Sequence, residues 1–414
     1  MYPRDKTLTK TNPKRSIKKI GVLGAGLMGH GIAYVSAASG FKVVMIDTSR
    51  EKLERGLNSI ESILKKNLSN QKISNQEYDD TLDRIITSDN YNKLNDCNII
   101  IEAVYEDKNL KEDVISKACQ LLSNSGVFAS NTSTIPISLL AKASPKPENF
   151  IGLHFFSPVN KMKLVEIIKG NKTNRETLSI ALDFVHAIGK EPIVVNDGPG
   201  FFTTRVFQCY TNEGMSMLNE GIDPALIEKL SREAGYPVGP LAILDEININ
   251  LASHINKQIK KYSNSAQDSS LMPWEKVIDL MVSKLKRTGR SSGSGFYEYP
   301  ENKKKYLWPD LCDYFPLSVS NIQKKDAIDR FYFAQALETI RCFEEGIISS
   351  TADANTGSIL GWGFPRETGG ILNFVNNYGI AEFKKRADEL EKNYGKRFKS
   401  PILLNKMAAS GNIF

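Results

Sequence analysis

Cysteine is scarce in this sequence. The 414 residues contain five cysteines, which are scattered and never form a Cys-x-x-Cys pair: Cys97, Cys119, Cys209, Cys312 and Cys342. The odd count and the wide spacing argue against a disulfide framework and against a zinc site. We therefore predict no bound metal and a reducing compartment.

Long apolar runs are also missing. No segment approaches the roughly 20 apolar residues that a membrane-spanning helix requires, and the basic tail 1–16 has no apolar stretch like that of a secretory signal. The net charge of +7 is spread along the chain, and its densest clusters, 14–19 and 303–305, contain no interleaved aromatic residues. We predict no membrane span and no nucleic-acid partner. We expect a soluble intracellular protein, cytoplasmic in a bacterium and mitochondrial or peroxisomal in a eukaryote.

A glycine-rich loop follows the first apolar stretch. The predicted strand 17–23 runs into Gly24-Ala25-Gly26-Leu27-Met28-Gly29, which opens a helix, and Asp47 ends the next predicted strand. The first glycine permits a tight turn, the second lets the backbone approach a pyrophosphate, and the third lets the helix pack against the sheet. This context predicts a dinucleotide site with the phosphates at the helix N-terminus. Asp47 favours NAD over NADP, although the nearby Arg50 leaves that preference open.

Short apolar strands alternate with helical stretches as far as residue 197. Strands are predicted at 17–23, 41–47, 98–104, 127–131, 150–156, 163–168 and 191–195. This alternation is typical of a doubly wound, Rossmann-type α/β sheet. The lysine-rich segment 50–83 is too long for a simple crossover. We predict that it forms a helical hairpin projecting from the domain beside the cofactor crevice.

The helical region after residue 197 contains an internal repeat. Arg205 is followed by a glutamate after eight residues and a glycine after sixteen, and Arg330 is followed by both residue types at the same spacings. Each copy then continues to an aromatic-proline turn. We predict a dinucleotide domain over 17–197, followed by two repeated all-α domains, 198–298 and 325–414, with a linker over 299–324 between them.

His154 differs from the other three histidines by its position. It lies near the end of the predicted strand 150–156, at the edge where ligands bind in open α/β sheets, and Glu166 lies on the following predicted strand. If the two strands are neighbours, the carboxylate can fix the tautomer of the imidazole, as a general base requires. A hydrogen-bonded core histidine explains the pattern about as well.

Two further polar segments follow predicted strands. Asn131 and Ser133 could reach the nicotinamide end of the crevice, although a helix N-cap explains them nearly as well. Glu106 and Lys111 follow another strand. They are either ordinary capping residues or contacts of the nicotinamide ribose. The residues alone leave both pairs of alternatives open.

Taken in order, these segments closely resemble the L-3-hydroxyacyl-CoA dehydrogenases of fatty-acid β-oxidation. The matching segments are 24–29, 129–133, 152–156, 163–166, 197–201 and 295–297. The resemblance spans residues 17–414. The second helical copy is similar to the dehydrogenase half of multifunctional β-oxidation proteins. From the sequence alone we expect no counterpart of the hydratase domain that precedes this half in those proteins.

The resemblance implies NAD-dependent oxidation of (S)-3-hydroxyacyl-CoA to 3-ketoacyl-CoA. His154 would take the proton of the 3-hydroxyl while hydride passes from C3 to the nicotinamide. Glu166 would orient and support His154, and Ser133 would hydrogen-bond the reacting oxygen. On the hairpin, Lys65 and Lys66 would meet the CoA moiety of the acyl-CoA substrate.

The resemblance also implies a set of NAD contacts. These are Gly24, Gly26, Leu27, Met28, Gly29, Asp47, Glu106, Lys111, Asn131, Ser133 and Ser157.

Two positions depart from the family pattern. Thr204 stands where the family often has an asparagine that anchors the reacting end of the substrate, and its shorter hydroxyl could still donate. His30 replaces the small residue that usually follows the third loop glycine, and it would crowd the phosphates. Two other functions therefore stay open: a dehydrogenase of a free hydroxy acid, and a non-catalytic NAD-binding subunit.

The repeat bears on assembly. Single-repeat relatives typically dimerise through the helical domain, so the second copy would supply an equivalent face within the same chain. We expect residues 325–414 to be structural, acting as an internal pseudo-partner, and the chain to be a monomer. A thiolase or a hydratase is the protein partner that the resemblance suggests.

Overall fold

A mainly parallel sheet, with β6 and β7 paired in antiparallel fashion, organises the N-terminal half of the chain. The computed structural model describes residues 17–262, 272–318 and 322–414, so the basic tail 1–16 lies outside the described residues. Within them, eight strands form one sheet in the order β3-β2-β1-β4-β5-β6-β7-β8. The strands are β1 Lys19–Leu23, β2 Lys42–Ile46, β3 Ile85–Ser88, β4 Cys97–Glu102, β5 Leu122–Ser130, β6 Phe150–Phe155, β7 Leu164–Lys169 and β8 Glu191–Asn196.

Helices cover both faces of this sheet. They are α1 Leu27–Ala38, α2 Arg50–Ser69, α3 Asn75–Asp83, α4 Lys108–Ala118, α5 Ile137–Leu140 and α6 Arg175–Ala187. Successive side chains of a strand point to opposite faces, and here both faces are apolar. On β2, Val43 and Met45 enter one core while Val44 and Ile46 enter the other. The predicted Rossmann-type fold is confirmed.

Two features of the sheet differ from the predictions. Strand β3 was not predicted, because it has only four residues and lies at the edge of the sheet. Its side chains are only partly buried there, so the sequence shows no clear apolar alternation. The hairpin α2–α3 forms, but it does not project freely. Leu53, Ile60 and Leu64 of α2 are buried, and Asn67 donates to the Tyr34 hydroxyl of α1 at 3.0 Å. The hairpin therefore lies against α1.

The chain after residue 200 is mostly helical. The first part contains α7 Thr203–Asn219, α8 Pro224–Glu233, α9 Pro240–Ile247, α10 Ile249–Tyr262, α11 Pro273–Asp279 and α12 Leu311–Tyr314. The second part contains α13 Lys324–Glu344, α14 Thr351–Trp362, α15 Ile371–Tyr378, α16 Ile380–Tyr394 and α17 Ile402–Ser410. No helix in the described ranges has the length and apolar character needed to cross a bilayer.

The segment around residue 300 contains a short two-stranded sheet. Strand β9 Tyr297–Glu298 pairs in antiparallel fashion with β10 Tyr306–Leu307. Asp245 holds this turn, because its carboxylate accepts from the backbone N–H groups of Phe296 at 2.9 Å and Tyr297 at 2.8 Å. These tertiary hydrogen bonds are invisible to local sequence patterns.

The two repeats exchange equivalent ion pairs. Helices α7 and α13 pack against each other. Arg205 Nε donates to Glu338 at 2.8 Å, and Arg330 Nε donates to Glu213 at 2.5 Å. Each arginine of one repeat thus binds the matching glutamate of the other. This reciprocity is what a two-fold symmetric interface produces, here within one chain.

Candidate active site

A crevice of about 840 Å³ opens at the carboxyl ends of β1, β2 and β4. The glycine loop forms one wall. Gly24 has a φ of +99°, and a Cβ added to Gly29 would lie 1.8 Å from the Gly24 carbonyl oxygen. A Cβ added to Gly26 would meet no atom within 4 Å, so this backbone is open to close approach. These three environments match the roles of the glycines in a dinucleotide loop.

Asp47 and the start of α1 complete the cofactor end of the crevice. Asp47 Oδ2 accepts from the Ala25 N–H at 2.8 Å, which places the carboxylate directly beside the loop. Arg50, by contrast, pairs with Glu54 at 3.3 Å in solvent. His30 lines the crevice and its Nδ1 lies 2.9 Å from the Gly26 carbonyl oxygen.

Loop residues Leu27 and Met28 point in different directions. Leu27 is 68% exposed and lines the crevice. Met28 packs on the apolar core beneath α1.

His154 and Glu166 face each other across two antiparallel strands. The register of β6 and β7 pairs the two residues, and Glu166 Oε2 lies 2.9 Å from His154 Nδ1. His154 is 8% exposed and Glu166 is fully buried. Antiparallel pairing brings opposed side chains on one face close together. The conditional expectation from the sequence, that these strands are neighbours, is met.

Glu166 receives three more hydrogen bonds from the start of α7. Its Oε1 accepts from the backbone N–H groups of Phe202 and Thr203, both at 3.0 Å, and its Oε2 accepts from Thr203 Oγ1 at 2.5 Å. All of these partners are donors, and a helix N-terminus favours negative charge. Because the carboxylate contacts Nδ1 of His154, Nε2 is the ring nitrogen that stays available to a ligand.

The sequence-based prediction named Thr204 and not Thr203, which is the residue that contacts Glu166. The sequence feature that could have indicated this contact is a threonine in the first turn of the helix that follows Pro199-Gly200-Phe201. Thr204 instead lies beside Ser133, with its Oγ1 3.3 Å from the Ser133 carbonyl oxygen.

Glu106 organises the turn that carries Ser133. Its Oε1 accepts from Thr132 Oγ1 at 2.6 Å and from the Ser133 N–H at 3.0 Å. Lys111 lies 3.2 Å from its other oxygen. Burial acts to raise the pKa of Glu106, but the Lys111 ammonium and these donors hold that pKa below its ordinary value.

Lys111 lies beneath the crevice rather than in it. It is 1% exposed and its Nζ donates to Glu102 at 2.6 Å. Burial acts to lower the pKa of Lys111, while the two carboxylates of Glu102 and Glu106 raise it above its ordinary value. From this position Lys111 fixes Glu106 by an ion pair.

Asn131 and Ser157 lie at the ends of adjacent strands. Asn131 Oδ1 accepts from the Phe155 N–H at 2.8 Å, which ties the end of β5 to the end of β6. Ser157 is exposed in the loop after β6. Lys190 supports that loop by donating to the carbonyls of Val159 at 2.6 Å and Met162 at 2.5 Å. Burial lowers the pKa of Lys190 to about 8.

Lys65 and Lys66 lie on the exposed face of α2. Lys65 Nζ forms an ion pair with Glu61 at 2.6 Å. The hairpin therefore presents both lysines to solvent.

Comparison with known proteins agrees with the dinucleotide-binding fold and crevice described above. The profile of the 3-hydroxyacyl-CoA dehydrogenase NAD-binding domain matches residues 19–198, and that of the C-terminal domain of the same family matches residues 200–299. The chain belongs to the 3-hydroxyacyl-CoA dehydrogenase family and contains its NAD-binding domain. The resemblance noted in the sequence is confirmed.

Individual relatives agree with this assignment. The fatty acid oxidation complex subunit alpha of Pseudomonas savastanoi pv. phaseolicola is 34% identical over 97% of this chain, which spans 56% of that protein. The (S)-3-hydroxybutyryl-CoA dehydrogenase structure from Ralstonia eutropha is 31% identical with a TM-score of 0.65, and covers 69% of this chain and 100% of its own.

The 3-hydroxybutyryl-CoA dehydrogenase structure from Escherichia coli shares the fold over more of the chain. Its TM-score is 0.82 at 23% identity, and the match covers 96% of this chain and all of that one. The fold similarity therefore includes the second helical part.

Proposed function

We propose that the chain oxidises (S)-3-hydroxyacyl-CoA to 3-ketoacyl-CoA with NAD in fatty-acid oxidation. The observation that supports this most is the contact between His154 and Glu166 at the carboxyl end of β6, on the sheet edge that also carries the glycine loop. The names of the relatives, a fatty acid oxidation complex subunit and 3-hydroxybutyryl-CoA dehydrogenases, support the substrate class.

In this proposal the chain supplies the base and its support. Nε2 of His154 accepts the proton of the substrate's 3-hydroxyl as the C3–H bond breaks and the C3 carbonyl forms. Glu166 holds the opposite nitrogen and stabilises the imidazolium. NAD, when bound, would supply the acceptor for the hydride that leaves C3. Ser133 hydrogen-bonds the reacting oxygen, with Thr204 beside it.

The residues around the crevice and on the hairpin are the proposed contacts of NAD and CoA. We propose that Asp47 and the loop 24–29 hold the adenosine and pyrophosphate, with Leu27 lining the crevice. The nicotinamide end would contact Glu106 (itself fixed by Lys111), Asn131, Ser133 and Ser157. Lys65 and Lys66 are the proposed contacts of CoA, because an exposed pair of lysines attracts its phosphates.

We further propose that the first helical copy covers 198–298 and that 325–414 is a second copy serving as a pseudo-partner. The exchanged pairs of Arg205 and Arg330 support a chain that is monomeric on its own. Light scattering on the intact chain tests this: a stable dimer would contradict it. A thiolase or a hydratase remains the proposed partner class.

His154→Ala tests the catalytic assignment. General-base catalysis contributes about 10²- to 10⁴-fold in rate, so kcat with acetoacetyl-CoA and NADH should fall by at least about 100-fold. The Kd for NADH should stay unchanged. His186→Ala is the matched control, since His186 is exposed on α6 and should leave both constants unaltered. Turnover like that of the wild type in His154→Ala would overturn the assignment.

Tight NADH binding without turnover in the wild type would favour the non-catalytic subunit instead.

A further inference from the structure

The second helical copy packs against the sheet as well as against the first copy. Strand β8 is the last strand of the sheet, and its outward backbone N–H groups need partners. Asn196 N donates to the Ile347 carbonyl at 2.8 Å, and Val194 N donates to Asp353 Oδ2 at 3.2 Å. The second copy thus covers the sheet edge next to β7, the strand that carries Glu166.

Helix α14 approaches this edge through two glycines on one face. A Cβ added to Gly357 would lie 2.9 Å from Ile193 Cδ1 and 3.3 Å from the ring of Phe202. A Cβ added to Gly361 would lie 2.9 Å from Leu164 Cδ2. Residues four apart lie on the same face of a helix, so this face of α14 fits closely against β7, β8 and the start of α7.

Trp362 extends the same contact. Its ring lies edge-on to Phe202, with ring centroids 5.6 Å apart and an interplanar angle of 69°. Aromatic pairs favour such edge-on geometry. The indole Nε1 is buried and has no hydrogen-bond partner among the residues that the structure describes. A buried donor without an acceptor is costly, so the benefit of this side chain lies in its ring packing.

Phe202 connects this packing to the proposed base. Its backbone N–H donates to Glu166 Oε1 at 3.0 Å, and the next residue, Thr203, donates twice to the same carboxylate. Glu166 then contacts His154 at 2.9 Å. Contacts therefore run without a gap from Trp362 to Phe202, to Glu166 and to His154.

We propose that Trp362 of the second helical copy is a positioning residue for the His154–Glu166 pair, acting through Phe202. This extends the role of residues 325–414 beyond that of a pseudo-partner, and it rests on the proposed function. Trp362 does not touch the substrate. It holds the first turn of α7, and with it the donors that fix the Glu166 carboxylate.

The test compares three full-length variants. Trp362→Leu removes the edge contact, whereas Trp362→Phe keeps an aromatic ring and removes the unpartnered N–H. Tyr378→Leu is the matched control, because Tyr378 is a half-buried aromatic residue of the same copy whose ring packs edge-on against Phe333 at 5.4 Å. Within the part of the chain that the structure describes, the Tyr378 ring makes no ring contact with Phe202. The readouts are kcat with acetoacetyl-CoA, the Kd for NADH, and the NMR signal of the His154 Nδ1 proton.

We expect kcat of Trp362→Leu to fall about 10- to 100-fold, since small misplacements of catalytic groups have effects of this size. The Kd for NADH should stay unchanged and the deshielded Nδ1 proton signal should shift or broaden. Trp362→Phe should restore both properties. Tyr378→Leu should lower thermal stability alone.

An unchanged kcat and proton signal in Trp362→Leu would overturn the proposal, as would an equal loss in Tyr378→Leu. If Trp362→Leu fails to fold, Gly361→Ala is used, because its added Cβ presses on Leu164 and lies 3.9 Å from Thr203 Cγ2. The proton signal is read without turnover. A wild-type chain inactive on acetoacetyl-CoA would therefore reject the proposed function while still testing the positioning role.

Discussion

Replacing Arg330 by methionine should destabilise the chain more than the same change at Arg205, although the two arginines occupy equivalent places in the repeat. Arg330 is fully buried, and its guanidinium lies 4.3 Å above the Tyr394 ring. It donates to Glu213 at 2.5 Å and to Glu220 at 2.7 Å and 2.9 Å. Glu213 is 1% exposed. Arg330→Met therefore leaves a buried carboxylate short of one partner.

Removing one member of a buried ion pair costs about 3–5 kcal/mol. Arg397 also donates to Glu213, at 2.6 Å, so the buried carboxylate keeps one positively charged partner when Arg330 is replaced. We therefore expect Arg330→Met to lower the free energy of unfolding by an amount near the lower end of this range, about 3 kcal/mol. Arg205 pairs with Glu338 and with the half-exposed Glu345. Solvent screens the pair with Glu345, whereas Arg205 and Glu338 are each 15% exposed. Arg205→Met should therefore cost less than Arg330→Met but more than the about 1 kcal/mol of a surface pair.

Urea unfolding of the intact chain gives both free energies. The double variant Arg330→Met/Glu213→Gln should recover part of the loss, since the buried carboxylate that lost one of its two arginine partners is then gone. Equal costs for the two arginines, or a cost below about 1 kcal/mol for Arg330→Met, would refute the view that a buried ion-pair exchange joins the two copies.

Three further outcomes are expected. Gly26→Ala should fold like the wild type but bind NADH more weakly, because the added Cβ contacts no protein atom and would meet the pyrophosphate. Gly29→Ala should also lower thermal stability, because its added Cβ would clash with the Gly24 carbonyl oxygen. Thr203→Val removes a hydroxyl donor to Glu166, worth about 1.5–3 kcal/mol to a charged acceptor, so kcat should fall about 10-fold or more while Thr203→Ser retains activity. Lys190 has a folded-state pKa of about 8, below the about 10.4 of an unfolded lysine. Unfolding therefore takes up a proton between those values, and the free energy of unfolding rises with pH across that window. Lys190→Met should lose this rise, as measured by urea unfolding at about pH 7 and about pH 10.

Features whose residues lie close together along the chain could be predicted from the sequence. The glycine loop and Asp47 were predictable because the turn, the helix start and the strand end follow one another within one βαβ unit. The pairing of His154 with Glu166 was predictable only on condition that their strands are neighbours. That condition follows from a short connection between two strands.

Contacts between distant elements were not predictable. Thr203 reaches Glu166 from a helix that begins 37 residues later, and no local pattern fixes the placement of that helix. The docking of α14 on β8 depends in the same way on how the helical copies sit against the sheet. Strand β3 was missed for a different reason, because a short edge strand with partly solvated side chains has no apolar signature.

The most direct test of the account is NADH oxidation by the intact chain with acetoacetyl-CoA and, separately, with free acetoacetate. We expect rapid oxidation with the thioester and little with the free acid, because the CoA moiety supplies the binding energy that positions C3. Faster oxidation with free acetoacetate, or none with either compound, would contradict it.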